Sequence, residues 1–422
     1  MLRRGITEAL NRALDSSKVV VLEGARSVGK TTLSRDVAQL RGFPTVFDLA
    51  DPADRAVLTQ DPHRVLAASA RPILIDEAQL APEIPVAVKR LVDRYAEAGQ
   101  VLLTGSSRIG RGALGGSDPL VGRAVRLRLL GFTQSELAGS PRDTLGELLV
   151  EDPADAVQPE LTLTDLVDRL LIGGLPPVAL GRRAAAGSPS PGLTSLDRGR
   201  VFEEYLQGVL HLSLAESRTD LGQLIRTFRY LGANPGQILN LSRAASELRL
   251  RADTVSRYVG LCETAFLLDL ALAMRPKEHQ TLTSHPRVFP SDVGLGAWCA
   301  DASPERLLRQ PALLGSLVEA LVFNELHAQA SWSTGGALRV LHWRDAKSKH
   351  EVDLVVAGPD GSVMPVEVKS ASRVDVSDTR GIQAFAVQAG PMMRRGIVFY
   401  TGRTTIQLAS NVWAVPVTTL WA

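Results

Sequence analysis

Lys18-Val19-Val20-Val21-Leu22-Glu23-Gly24-Ala25-Arg26-Ser27-Val28-Gly29-Lys30-Thr31-Thr32 is the stretch that decides the fold. Its first half is an apolar run that reads as a buried strand. A glycine-bounded turn of the pattern G-x-x-x-x-G-K-T follows, and a helical pattern then continues through Leu40. A strand that enters such a turn and leaves it as a helix lets successive backbone N–H groups curl around an anion. The helix N-terminus adds partial positive charge at the same point. Gly24, Ala25, Arg26, Ser27, Val28, Gly29, Lys30, Thr31 and Thr32 are therefore expected to hold phosphate. Lys30 is expected at the β- and γ-phosphates of a nucleotide, and Thr31 at its Mg²⁺.

Working outward, Ile73-Leu74-Ile75-Asp76-Glu77 is an apolar strand that ends in two acids. Beside a phosphate loop, that pattern predicts Asp76 as a second holder of Mg²⁺ and Glu77 as the group that orients and deprotonates an attacking water. Leu102-Leu103-Thr104-Gly105-Ser106-Ser107-Arg108 ends the next strand with small hydroxyl residues. Thr104 is expected to reach the γ-phosphate, a simple turn being the plainer alternative. Arg108 and Arg123 are candidates for stabilising transition-state charge. The chain has no Asn-Lys-x-Asp segment of the guanine-specific kind, which favours ATP over GTP. A base beside Asp76 favours hydrolysis over transfer to a small acceptor.

Around these motifs, short apolar runs at Pro44 to Leu49, Pro72 to Asp76, Gln100 to Thr104 and Val125 to Leu129 alternate with helical stretches such as Val86 to Glu97. Alternation of that kind predicts a parallel sheet covered on both faces. From about Thr133 to Leu231 the pattern is helical, broken at Gly173-Gly174-Leu175-Pro176-Pro177 and by the Pro- and Ser-containing loop Gly187 to Gly192. Leu239 to Leu248, a short turn, Ala252 to Thr264 and then a strand at Phe266 to Met274 make the outline of a winged-helix module. Such outlines also serve as packing modules, and both readings stay open.

The last part opens with a helix containing Glu319 and continues as strands at Leu338 to Trp343, Glu351 to Ala357, Val363 to Val368 and Gly396 to Tyr400. Gly358-Pro359-Asp360-Gly361 supplies a hairpin turn. Folding there brings Asp353 toward Glu367, and Lys369 shares a strand face with Glu367 because they are two residues apart. Two carboxylates and a lysine in this arrangement can bind Mg²⁺ and position a water. Glu319 is the expected additional acid. Asp353, Glu367 and Lys369 are thus a tentative catalytic set, and Glu319, Asp353 and Glu367 a tentative metal set. A solvated hairpin with ordinary charge alternation is the competing reading. Lys347, Lys349 and His350 lie just upstream, where they can meet a phosphate backbone.

The 422 residues exceed one ordinary core, and two or three domains are expected. A hydrophobic fraction of 45% with 22% charged residues suits a folded chain and argues against disorder. The formal net charge of +2 does not by itself announce a nucleic-acid partner. Cys262 and Cys299 lie far apart without metal-ligand spacing. Neither a secretory signal nor an apolar run of about eighteen residues is apparent, so no membrane association is expected and the cytoplasm is the expected location.

The motifs together resemble the bacterial and archaeal AAA-like P-loop ATPases that carry a C-terminal domain of unknown function related to the PD-(D/E)xK nucleases. The resemblance rests on GARSVGKT at Gly24, ILIDEAQ at Ile73, LLTGSSR at Leu102, LVGR at Leu120 and GGLPP at Gly173. It continues through VFPSDVGL at Val288, GSLVEALVFNEL at Gly315, HWRDAKSKHEVDLVV at His342 and PVEVKSA at Pro365. It implies an α/β fold: a P-loop sheet of the AAA/RecA-like, additional-strand type, a helical and winged-helix middle, and a restriction-endonuclease-like α/β end. Expected boundaries are 1–140 for the ATPase domain, 141–219 for a helical linker region, 220–290 for the winged-helix module and 291–422 for the nuclease-like domain. Expected ligands are ATP and Mg²⁺, with DNA as a further expected partner and a protein partner or self-association left open. The implied function is ATP hydrolysis whose nucleotide state regulates the C-terminal domain. The alternative is a nucleotide-dependent switch or scaffold with an inactive binding domain at that end.

Overall fold

The computed structural model describes residues 2–95, 97–109, 118–153, 157–186, 195–213, 219–276, 280–334, 336–345 and 349–421. The expected loop at 187–192 and Lys347 lie outside the described residues. Contacts divide the chain into two compact units. The first is Arg4–Leu130 with Thr264–Phe266, and the second comprises Gly131–Glu263 and Leu267–Ala422.

The first unit is built on strands β1 (Val19–Glu23), β2 (Thr45–Asp48), β3 (Ile73–Asp76), β4 (Val101–Gly105) and β5 (Ala124–Arg128). They form one sheet in the order β2-β3-β4-β1-β5, with every pairing parallel. β1, β3 and β4 are buried at every position. A parallel strand with both faces covered has no use for polar alternation, which is why these strands read as unbroken Val, Ile and Leu. On one face Val19, Val21, Ile73, Ile75, Val101 and Leu103 pack against Ile84, Val88 and Leu91 of the helix Ile84–Val92. Because all five strands run the same way, their C-terminal ends share one edge. Glu23 pairs with Gly105 and Ile75 with Leu103, so the residues that follow β1, β3 and β4 emerge side by side. β4 lies between the strand of the glycine turn and the strand of the two acids.

The second unit begins with a helical section, Gln134–Ala138, Thr144–Val150, Leu163–Ile172, Pro176–Ala186 and Ser195–Ser213. Helices Leu221–Gly232, Leu241–Leu248 and Ala252–Thr264 follow, then the antiparallel hairpin β6 (Leu268–Arg275) and β7 (Gln280–Pro290). After helix Pro311–Ala330 come β8 (Arg339–Arg344), β9 (Glu351–Ala357), β10 (Val363–Lys369), helix Arg380–Ala389, β11 (Gly396–Tyr400), β12 (Ile406–Ala409) and β13 (Val412–Pro416). The sheet is mixed, in the order β12-β13-β11-β10-β9-β8-β6-β7. Helix Pro311–Ala330 is apolar on nearly every side, as a buried helix is. Its Leu317, Val318 and Leu321 join Leu354, Val356 and Val366 on one face of the sheet. Phe385 of Arg380–Ala389 joins Val355, Ala357 and Val363 on the other. The turn between β9 and β10 is closed by Gly358 N–H donating to Ser362 O at 2.8 Å, and Gly361 takes φ 81°.

This partition differs from the expected boundaries in two places. The first unit ends at Leu130, not at 140, because the following segment is bonded into the second unit. Glu325 Oε1 accepts from the Gln134 N–H and Gln329 Oε1 from the Leu145 N–H, each at 2.8 Å. A boundary at 290 also cuts a sheet, since β6 meets β8 at Ala273 and His342. β7 was missed because its sequence, QTLTSHPRVFP, carries Pro286 next to a left-handed His285 at φ 57°. Proline is tolerated there because it falls where the β6–β7 pairing shifts register, between Ala271 opposite Arg287 and Ala273 opposite Leu282. β12 was missed for its shortness and its exposed Ile406 and Gln407.

Burial raises the Glu325 carboxyl to about 8, with Glu136 adding to the rise and the Gln134 N–H opposing it. A carboxyl raised on folding stabilises fully below its ordinary value of 4.5, and that stability is lost as pH rises toward 8. Glu325→Gln keeps an acceptor for Gln134 and removes the charge. In urea unfolding at several pH values, the stability of the variant relative to wild type should grow between about pH 4.5 and 8 and level off above that window.

Candidate active site at the strand ends

The loop between β1 and helix Lys30–Leu40 is shaped by close approach. A side chain on Gly24 would start 2.1 Å from the Leu129 carbonyl oxygen, and Gly29 takes φ 98°, a left-handed backbone that favours glycine. The buried Arg4 braces the loop from behind. Its Nη1 donates to Val28 O and its Nη2 to Leu130 O, both at 2.8 Å. Nothing in the sequence marked Arg4, which stands 20 residues before the motif and among many arginines.

Lys30 is 4% exposed. Its Nζ donates to the loop's own carbonyls, Gly24 O at 3.0 Å and Ala25 O at 2.8 Å. Burial lowers the ammonium to about 8, while Glu77 and Asp76 pull the other way and Arg26 adds to the lowering. The lysine therefore sits within the field of both acids, at the first turn of a helix whose N-terminus faces the loop. Arg26 and Ser27 are exposed, Ala25 and Val28 buried, and Thr31 half-buried.

Asp76 closes β3 with 1% exposure. One carboxylate oxygen accepts from the Thr104 hydroxyl, and the other, Oδ2, is buried without a hydrogen-bond partner among the described residues. An orphaned buried carboxylate oxygen is costly unless a cation meets it. With the Thr31 hydroxyl as companion ligand, these oxygens suit the hard Mg²⁺ ion of a nucleotide complex. Glu77 follows in a left-handed turn at φ 54°. Its N–H donates to Thr104 Oγ1 at 3.0 Å, and its Oε2 accepts from Ser106 Oγ at 2.9 Å and from the Gln79 amide. Gln79 Nε2 also donates to Ser106 Oγ at 2.9 Å.

Thr104 forms a bracket: its hydroxyl proton goes to Asp76 and its lone pair to the Glu77 N–H, so it ties Asp76 to the Glu77 backbone. Ser106 and Gln79, unremarked in the sequence, are the groups that hold the Glu77 carboxylate. Arg123 is taken up by a two-pronged pair with Asp93, at 2.6 and 3.2 Å, and Arg108 is exposed. Glu23, at the end of β1, pairs with Arg126 at 2.6 Å, which also pairs with Asp118 at 2.6 Å.

With the five-stranded parallel order, the loop and the bracketed acids on the page, comparison with known proteins adds the family. Residues 16–138 match the family described as AAA domain. The N-terminal unit is similar to that family over nearly its whole length. Residues 163–306 and 314–420 match two domains of unknown function, DUF8612 and DUF4143. Uncharacterized proteins Mb2031c of Mycobacterium bovis and Rv2008c of Mycobacterium tuberculosis are each 26% identical over 416 residues, 98% of this chain and 83% of theirs. Among solved structures, a Walker-type ATPase of Pyrococcus abyssi aligns over 71% of this chain and 96% of its own at 14% identity, with TM-score 0.42. The RuvB Holliday junction branch migration motor of Thermotoga maritima aligns over 63% and 88% at 19% identity, with TM-score 0.30. Both scores lie below 0.5.

The C-terminal cluster departs from its expected form. Asp353, Glu367 and Lys369 do come together: Lys369 Nζ lies 3.3 Å from Glu367 Oε2, and Asp353 Oδ2 accepts from the Val368 N–H at 3.0 Å. Burial and the nearby Asp353 push the Glu367 carboxyl up, while Lys369 opposes the rise. Glu319 and Asp353, however, are met by Arg287 of β7, at 2.5 and 3.3 Å. Among the described residues no group of three or more His, Cys, Asp and Glu side chains is disposed to hold a metal ion. The expected metal set is therefore not open as a metal site in this structure, because Glu319 and Asp353 are paired with a guanidinium. Among the described residues, no helix is long and apolar enough to cross a membrane.

Two outcomes follow for the N-terminal unit. Arg4→Ala removes two charge-assisted bonds that hold the loop and should raise KM for ATP by roughly tenfold, with kcat changed far less; steady-state kinetics check this. Phosphate binding by Lys30 needs its proton. The kcat/KM for ATP should hold steady below about pH 8 and fall as pH rises above it.

Proposed function

We propose that this protein binds and hydrolyses ATP with magnesium at the loop Gly24–Thr32, and that the nucleotide state of its AAA-type domain regulates a DNA-related, nuclease-like C-terminal unit. The observation that supports the first half best is the buried Oδ2 of Asp76 beside the phosphate loop, which has no hydrogen-bond partner among the described residues. Loop N–H groups and the helix N-terminus take the phosphates, and Lys30 exchanges the carbonyls of Gly24 and Ala25 for phosphate oxygens. Thr31 and Asp76 would hold Mg²⁺, which would supply neutralisation of the nucleotide's phosphate charge. Glu77, oriented by Ser106 and Gln79, takes a proton from the attacking water; the water oxygen bonds to the γ-phosphorus and the bridging oxygen leaves with ADP. Arg123 is engaged by Asp93, which favours an arginine supplied by a second copy or a partner for the transition-state charge.

For the second half, the support is the nuclease-like juxtaposition of Asp353, Glu367 and Lys369, together with helices and a hairpin in winged-helix order. A second reading, a nucleotide-dependent switch whose C-terminal unit binds without cutting, is favoured by the pairing of Arg287 with Glu319 and Asp353.

ATP turnover should fall by at least about a hundredfold in Lys30→Ala, as expected when the charge facing the transferred phosphoryl group is removed; unchanged turnover rules out the assigned site. Addition of single- or double-stranded DNA should stimulate wild-type turnover. DNA cleavage in Mg²⁺ or Mn²⁺ that disappears in Asp353→Ala and Lys369→Ala supports the nuclease reading. Salt-dependent DNA binding without cleavage supports the switch.

A further inference from the structure

Three acids of the C-terminal unit, the half-buried Glu319 and Asp353 and the exposed Glu351, converge on one buried side chain, which comes from the edge hairpin. Arg287 of β7 is 6% exposed. Its Nη1 lies 2.5 Å from Glu319 Oε1 on helix Pro311–Ala330, 3.3 Å from Asp353 Oδ1 and 3.5 Å from the Asp353 main-chain oxygen on β9. Its Nη2 lies 3.4 Å from Glu351 Oε2. The second Asp353 oxygen accepts from the Val368 N–H. Both Asp353 oxygens, its carbonyl and one Glu319 oxygen are thereby engaged.

These are the oxygens a divalent cation would use at this place: carboxylates from two elements and a main-chain carbonyl, all hard donors. A guanidinium serves the same electrostatic need with a planar fork of donors and a charge that is never lost. Carboxylates this close together and largely withdrawn from water, with side chains of Glu319 and Asp353 17% and 16% exposed, are stabilised by positive charge, and taking the partner away leaves their repulsion unopposed. The site is also reachable. Arg287 and Glu351 line a cavity of about 1110 Å³ that is bordered by Arg243, His342 and Arg344, so a small ion arriving from solvent has a path to the guanidinium that meets Glu319 and Asp353.

We propose that Arg287 is the resident cation of this acidic site, standing where a divalent metal would otherwise sit, and that removal of its side chain converts Glu319 and Asp353 into a divalent-cation site. Hairpin β6–β7 is then fastened to the sheet core by charge as well as by backbone pairing. This does not rest on the nucleotide assignment, so a failure at Lys30 leaves it standing, and its failure leaves the N-terminal unit untouched.

The experiment uses the full-length, nucleotide-free protein with Mn²⁺ as the probe, read by the electron paramagnetic resonance signal of free Mn²⁺ and by thermal unfolding. Wild type should show no Mn²⁺ site that Asp353→Asn removes, and its Tm should not move with Mn²⁺. Arg287→Ala should unfold at lower temperature and gain one Mn²⁺ site. Asp353→Asn in the same chain should abolish that site, and Mn²⁺ should restore part of the lost Tm. If Arg287→Ala does not fold alone, refolding in Mn²⁺ is the measurement, and recovery of the native circular dichroism is the expected result. A wild-type site lost in Asp353→Asn overturns the proposal. So does a folded Arg287→Ala that gains no site, a gained site that survives Asp353→Asn, or an Arg287→Ala that Mn²⁺ does not refold.

Discussion

A carboxylate withdrawn from water has to be met by a proton, a cation or a set of oriented donors, and the placement of those answers organises this molecule. Glu23 at the end of β1 is met by Arg126 and the Ile109 N–H. Asp76 at the end of β3 is met by the Thr104 hydroxyl on one oxygen alone. Glu325 is met by a backbone N–H and by burial that favours its proton. Glu319 and Asp353 are met by Arg287. Glu23, Glu319 and Asp353 are met by guanidinium groups and hold structure together, whereas Asp76 and Glu325 each keep one carboxylate oxygen without a hydrogen-bond partner among the described residues.

The strand-end site owes its form to the direction of the sheet. Five parallel strands deliver the glycine loop, the two acids and the hydroxyl-rich turn to one edge, and β4 between β1 and β3 sets Thr104 where it can touch both Asp76 and the Glu77 backbone. Lys30 is held there by two loop carbonyls, and burial lowers its ammonium to about 8.

Much of this was legible along the chain because the motifs are local. The glycine turn, the apolar strand ending in Asp76-Glu77 and the hairpin at Gly358 each need only a few consecutive residues. Strand and helix positions in the first unit follow from unbroken apolar runs of a kind that a doubly covered parallel sheet demands. Arg4, Ser106, Gln79 and Arg287 carry no such signature. Each acts on a residue brought near by folding, and in a chain with 47 lysines and arginines a lone basic residue gives no clue to its partner. The edge strand β7 hid behind His285-Pro286, and the junction at Leu130 hid because Gln134 looks like any polar helix start until Glu325, almost two hundred residues later, accepts its N–H.

By itself, then, the order of residues determined where a phosphate loop forms, which acids end the neighbouring strand, and that an α/β unit with two carboxylates and a lysine closes the chain, since all of these depend on contacts within a turn or between adjacent strands. Tertiary structure alone decided what each charged group meets. It made Thr104 a bracket between Asp76 and the Glu77 backbone, spent Arg123 on Asp93, and set Arg287 among acids from a helix and a strand. Electrostatic partners in a folded interior are chosen by distance in space, and that distance is unrelated to separation along the chain.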